Sequence, residues 1–241
     1  MKITYIYHSG FAAELDSCVL LFDYYKGELP EWEKDKPVYV FVSHKHKDHF
    51  SFQIFELAAR YDKIHYFLGS DIKLSEAYLE RNHVPPSVKE KITNIGKNKE
   101  ILFDQIKIRS LRSTDTGVAF IVQAENRCIY HAGDLNWWHW EGEPYPWNEN
   151  MEKAYKKEID AIKGIHFDAA FVPLDPRLGK AYGLGMDYFV QNTDADKVFP
   201  MHMWEEYGYI ASYKQTTEGS RYADKIMDIS APGQEFDLWN I

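Results

Sequence analysis

Cysteine is almost missing: Cys18 and Cys128 are the only two in 241 residues. Both lie in apolar, strand-like runs, which excludes a disulfide framework and marks them as reduced core thiols. Long apolar runs are missing too. No stretch approaches the roughly 20 residues that a membrane helix needs. No apolar leader opens the chain either, because Lys2 is soon followed by His8 and Ser9. These absences predict a soluble, cytoplasmic protein with no membrane partner. Positive charge is scarce, with 28 Lys and Arg against 37 Asp and Glu and a net charge of −9. That balance argues against nucleic acid as a partner, since such binding sets Lys and Arg against phosphates. An acidic small molecule stays open, because a metal ion supplies local positive charge. No internal repeat, low-complexity tract or linker breaks the sequence, so a single domain over residues 1–241 is expected. Aromatic residues are plentiful at 16%. Core packing and a homo-oligomer interface account for that equally well.

What is there is concentrated in Ser43-His44-Lys45-His46-Lys47-Asp48-His49. Four potential metal ligands fall within six residues, directly after the apolar run Pro37-Val38-Tyr39-Val40-Phe41-Val42. Imidazole suits zinc and iron, and carboxylate extends the range to manganese. His44 and His46 are two apart, so in an extended segment they point the same way and can grip one ion. Asp48 and His49 come where the chain turns toward a helix near Ser51 and suit a second ion. Two ions about 3.5–4 Å apart are a common arrangement for hydrolysis. The plain alternative is a solvated histidine-rich loop. A buried strand anchoring the loop speaks against it.

This SHxHxDH pattern resembles the signature of the metallo-β-lactamase superfamily. Other runs agree in order: Tyr7-His8-Ser9-Gly10-Phe11, then Val19-Leu20-Leu21-Phe22-Asp23, Tyr130-His131-Ala132-Gly133-Asp134, and Phe199-Pro200-Met201-His202. The short length and the His-Ser-Gly start resemble the branch of the L-ascorbate-6-phosphate lactonase type. The resemblance implies an α/β fold, a four-layer αβ/βα sandwich with metals at one edge between two sheets. It implies His44, His46, Asp48, His49, Asp134 and His202 as ligands, with Asp134 bridging two ions or orienting the attacking water. Zinc is the expected metal, with manganese or iron as alternatives. One departure stands out. Where the family carries a further histidine, residues 108–117 hold none, and Ser113, Thr114 or Asp115 falls there. An Asp115 carboxylate in its place favours a harder metal. A one-ion site on Asp48, His49, Asp134 and His202 is the other outcome.

The chemistry that follows is hydrolysis of a small-molecule lactone, ester or phosphoester by metal-activated water, with Asp48 and Asp134 as catalytic carboxylates. Asp23 reads either as a residue orienting a histidine ligand or as a strand-end turn. His8 reads as substrate-facing or as a buried histidine. The run Leu135-Asn136-Trp137-Trp138-His139-Trp140 reads as a pocket wall, with Trp137 toward substrate and His139 as a general acid. Arg177 binds a substrate carboxylate or phosphate, or else makes a turn contact with Asp175. Two further readings stay beside the enzyme: a non-catalytic metal or ligand sensor, motivated by the missing histidine, and a nuclease of the same superfamily.

Periodicity predicts strands at 3–7, 19–24, 38–42, 64–68, 100–103, 105–111, 118–124, 128–131, 169–173 and 198–200. Helices are expected at 52–60, around 74–79, at 152–163 and at 214–227.

Overall fold

The apolar runs that precede the polar motifs become central strands. A computed structural model describes residues 1–238. The chain divides into two compact units, residues 1–96 with the segment from Pro232, and Lys97–Ala231. Each carries one sheet.

The first unit runs β1 (Lys2–Tyr7), β2 (Gly10–Glu14), β3 (Val19–Phe22), β4 (Val38–Val42), β5 (Ile64–Gly69) and β6 (Ile92–Ile95). The six lie in sequence order across the sheet, and Glu235–Asp237 adds an edge strand beside β1. β1 to β3 pair antiparallel, and β3 to β6 pair parallel. Every residue of β3 and β4 is buried. That is why these strands read as continuous apolar runs and not as alternating ones. Phe22, Phe41 and Phe67 stand in register on neighbouring strands and stack, with ring centroids 5.0 and 5.1 Å apart. This ladder sits directly beneath the ends of β3 and β4.

The second unit runs β7 (Glu100–Phe103), β8 (Ile106–Arg112), β9 (Val118–Ala124), β10 (Arg127–His131), β11 (His166–Pro173) and β12 (Asp194–Met201). These also lie in sequence order, antiparallel from β7 to β10 and parallel from β10 to β12. Parallel neighbours need a crossover. Helices Tyr145–Asp160 and Leu184–Asn192 supply the two crossovers here.

The expected strands are present. β2 and β6, which periodicity left out, are additional. The expected helix at 52–60 is a 3-10 helix, Phe52–Ala59, whose N-cap Ser51 accepts from the Gln53 amide. The expected helix at 152–163 begins earlier and spans Tyr145–Asp160. No residue of the helix before Tyr155 is buried, so apolar periodicity starts only where Tyr155 and Ile159 bury. The expected helix at 214–227 is a correction: the helix is Gly208–Lys214, followed by a 3-10 turn at Gly219–Tyr222. The Thr216 hydroxyl donates to the Tyr213 carbonyl and accepts from the Gly219 amide, which competes with helix continuation. Among the described residues, no helix is long and apolar enough to cross a membrane.

Candidate metal centre

In the first unit, the ends of β1, β3 and β4 carry the polar cluster. His8 occupies the two-residue turn between β1 and β2 with φ 57°, and its amide donates to the Tyr5 hydroxyl. Asp23 ends β3 with φ 41° and is buried. Left-handed backbone at non-glycine residues is uncommon, and it concentrates where a site holds side chains in fixed directions.

The hydrogen bonds around Asp23 set two histidine tautomers. A carboxylate only accepts. Asp23 Oδ1 accepts from the Ser43 amide at 2.7 Å, and Oδ2 accepts from the Ser43 hydroxyl at 2.6 Å and from His49 Nδ1 at 2.7 Å. The proton of His49 therefore sits on Nδ1, and Nε2 is left as a ligand nitrogen. The Ser43 hydroxyl has spent its proton on Asp23, so it accepts from His44 Nδ1 at 2.9 Å. His44 Nε2 is likewise a ligand nitrogen. It faces His46 Nδ1 at 2.9 Å. His8, Asp48 and His49 each bring a ligand atom within 4.8 Å of the others. Asp48 Oδ2 lies 3.5 Å from His8 Nε2 and 4.0 Å from His49 Nε2. His44 and His49 are buried, His46 is exposed and Asp48 is half-buried. Lys45 and Lys47 point outward, and the Lys45 amide is held by Asp71 Oδ2 at 3.0 Å.

In the second unit, β10, β11 and β12 end in the remaining candidates, at the carboxyl ends where open α/β sheets place ligands. β10 leads through Ala132 and Gly133 (φ 52°) to Asp134, which is 5% exposed. β12 leads to His202, again with positive φ, at 66°. His202 Nδ1 donates to Asp175 Oδ2 at 2.8 Å, so its Nε2 is a ligand nitrogen, 3.4 Å from Asp134 Oδ1. Burial would push the Asp175 carboxyl up, but hydrogen bonds from His202 and Arg177 outweigh it and hold it below the usual carboxylate range. An Asp115 oxygen lies within 4.8 Å of an Asp134 oxygen. Asp115 is exposed, on the β8–β9 loop, with its amide on the Ser113 hydroxyl at 3.1 Å.

The tryptophans divide differently from the sequence reading. Trp137 is engaged by Lys156, whose ammonium sits 4.5 Å from its ring centroid, and meets Tyr188 edge-on. Trp138 is the one beside the ligands. Its indole donates to the Asp134 carbonyl at 3.0 Å, and its ring lies 5.7 Å from that of His202. Among the described residues, His139 has no hydrogen bond or ion pair. Arg177 forks onto Asp175, with Nε at 3.0 Å from both oxygens and Nη2 at 2.5 Å. The guanidinium also lies 4.8 Å from the Trp204 ring centroid. The turn contact expected between Asp175 and Arg177 is thus present, and it braces the carboxylate that orients His202. One feature escaped the sequence reading, Asp175 as the partner of His202; His8, read there as substrate-facing or as a buried histidine, lies beside Asp48 and His49. A buried aspartate right after an apolar strand, as in Leu174-Asp175, was the available signal for Asp175.

These donor sets fit a divalent cation. Imidazole nitrogens with their protons fixed on the far side, facing carboxylate oxygens, are what zinc, iron or manganese sites are made of. Without a cation or proton between them, a ring lone pair and a carboxylate oxygen repel.

A family model described as "Beta-lactamase superfamily domain" matches residues 2–138, more than half of the chain. No curated protein matches significantly. Among solved structures, the chain is similar to Igni18, a metallo hydrolase from the archaeon Ignicoccus hospitalis, at 18% identity, TM-score 0.61 and 98% of each chain. It is similar to the metallo-β-lactamase fold protein YhfI from Bacillus subtilis, at 12% identity, TM-score 0.60 and 98% of each chain. It is also similar to CmlA, a diiron β-hydroxylase from Streptomyces venezuelae, at 12% identity and TM-score 0.56. That match covers 85% of this chain and 45% of that one. The mixed α/β architecture with two sheets is therefore the metallo-β-lactamase fold class that the motifs implied.

Proposed function

The chain belongs to the beta-lactamase superfamily, and from that premise we propose that it is a metal-dependent hydrolase of a small-molecule lactone, ester or phosphoester. The observation that carries this is the pairing of His202 with Asp175 and of His49 with Asp23, each leaving the opposite ring nitrogen as a ligand. We assign His44, His46, Asp48, His49, Asp115, Asp134 and His202 to one or two divalent ions, with His8 as a further donor. Zinc is the first choice. The two carboxylates Asp115 and Asp134 also suit manganese or iron, and CmlA has diiron chemistry in a similar fold.

A bound ion would lower the pKa of its water to about 7 and polarise the bond under attack. Asp48 is half-buried and takes a proton from the attacking water. The Asp134 carbonyl accepts from the Trp138 indole, which fixes the loop, and the Asp134 carboxylate is assigned to the ion. Trp138 supplies an apolar wall that excludes water. Trp137, His139 and Arg177 keep a smaller part in the substrate pocket, because Arg177 is largely spent on Asp175. The resemblance to the lactonase-type branch supports a lactone, and a sugar-phosphate one in particular. The reading takes both units as one hydrolase domain in the cytoplasm, supported by two buried cysteines outside any disulfide, Cys18 and Cys128. Burial pushes the Cys128 thiol up to about 11, which keeps it unreactive.

The test is turnover of lactone, ester and phosphodiester panels by protein whose metal content has been measured, with Asp134→Asn as control. The expected outcome is metal-dependent turnover of one panel, lost in the variant. Metal-loaded protein inactive on all three panels would favour the sensor reading.

A further inference from the structure

The second unit holds a cleft of about 350 Å³ whose walls come from the Lys97–Asn98 turn, Arg112 at the end of β8 with the loop residues 113–115, and one face of helix Tyr145–Asp160. Three cations line it: Lys97, Arg112 and Lys157. All three are exposed. Among the described residues, none of the three side chains is in an ion pair. Their neighbours behave differently. On and just past the same helix, Lys153, Lys156 and Lys163 pair with Glu149, Glu152 and Asp160. In a chain of net charge −9, three cations outside any ion pair around one cavity form a local field suited to an anion.

Two carboxylates also line the cleft, Glu158 and Asp115. Glu158 is 8% exposed and spends Oε2 on the Arg112 amide at 3.2 Å, where it fastens the helix to the strand end. Asp115 has its carboxylate near that of Asp134 and is assigned above to the ion. Trp147 supplies an apolar surface for an organic body. The cleft is also tied to the metal-ligand loop. The Thr114 hydroxyl, on the cleft wall, donates to the Asn136 carbonyl at 2.6 Å and accepts from the Asn136 amide at 3.0 Å.

We infer that this cleft binds a dianionic group of the phosphate class, and that the group is the charged end of the substrate. Three donors arriving from separate elements suit a tetrahedral dianion better than a planar monoanion. Only the second half of the inference rests on the hydrolase reading.

The experiment is calorimetric titration of the metal-loaded protein with inorganic phosphate at low ionic strength. Binding should weaken about tenfold in Arg112→Gln and again in Lys157→Gln, the loss expected for a charge-assisted contact. It should be unchanged in Lys153→Gln, and also in Asp134→Asn. Circular dichroism checks the fold, and Lys97→Gln serves if Arg112→Gln does not fold. Loss of binding in Asp134→Asn with retention in Arg112→Gln would put the anion on the metal and overturn the inference. Absence of binding in wild-type protein would overturn it too. The substrate half is read from kinetics: on a phosphate-bearing substrate, Lys157→Gln should raise KM about tenfold and leave kcat in place. If no substrate is turned over but the phosphate pattern holds, the hydrolase reading fails and the anion site stands.

Discussion

His202 Nδ1 donates to Asp175 Oδ2 at 2.8 Å, and Arg177 grips the same carboxylate from the side. The bond fixes both the tautomer and the rotation of the ring. In Asp175→Asn an amide that can also donate replaces a pure acceptor, so the ring is no longer held with Nε2 as the ligand nitrogen. Metal affinity or activity should fall about 10- to 100-fold, as is usual for residues that orient ligands. Metal titration with a competing chelator reads the change, and an unchanged affinity would remove Asp175 from the site.

On the proposed assignment, Asp115 sets the number of ions. Plasma mass spectrometry of wild-type and Asp115→Ala protein, purified without chelator, should show two ions per chain falling to one. One ion in both would leave a one-ion site on Asp48, His49, Asp134 and His202.

Gly69 ends β5 against the turn that starts the histidine motif. A β-carbon there would lie 2.3 Å from the Ser43 carbonyl oxygen, which is backbone and cannot swing aside. Gly69→Ala should therefore destabilise the protein by about 1–3 kcal/mol, the usual cost of overpacking. Urea denaturation measures it. Because Ser43 carries the Asp23 and His44 contacts, metal affinity should fall in the same variant.

His166 is paired across β11 and β12 with Asp194 at 2.9 Å and also meets Asp196 at 3.3 Å. The Asp194 hydrogen bond raises its pKa above the ordinary histidine value, against a smaller effect of burial, with further help from Asp196 and Asp168. A raised value in the folded state means stability that is fully present below the unfolded pKa and lost as pH rises through the folded one. The side chain is 51% exposed, so solvent screens most of the effect. His166→Gln should cost about 0.5 kcal/mol near pH 5.5 and nothing near pH 8.5. Denaturation curves at both pH values check the sign, and an equal cost at both would exclude the linkage.

The motif residues and their strands were legible in the sequence for one physical reason. A strand buried on both faces must be apolar throughout, so the point where Val38–Val42 gives way to Ser43 and His44 is visible as a step in the text. Likewise the run into Asp134 and the run into His202 stop sharply at polar residues. The helix over 214–227 misled because its charged and apolar residues do suggest a helical face, while the competing hydroxyl of Thr216 acts through hydrogen bonds that periodicity does not register.

The sequence by itself determined the fold class, through ordered motifs that resemble a known family, and short spacing brought the candidate ligands His44, His46, Asp48 and His49 together. It also carried the net charge of −9 on which the expectation of a small-molecule substrate rests. Only the tertiary structure decided which carboxylate serves which histidine. Asp23 reaches His49 across 26 residues and Asp175 reaches His202 across 27, separations bridged by parallel strands that end side by side. Tertiary structure alone also turned Trp138, and not Trp137, toward His202, since a loop without periodicity takes its side-chain directions from what it packs against.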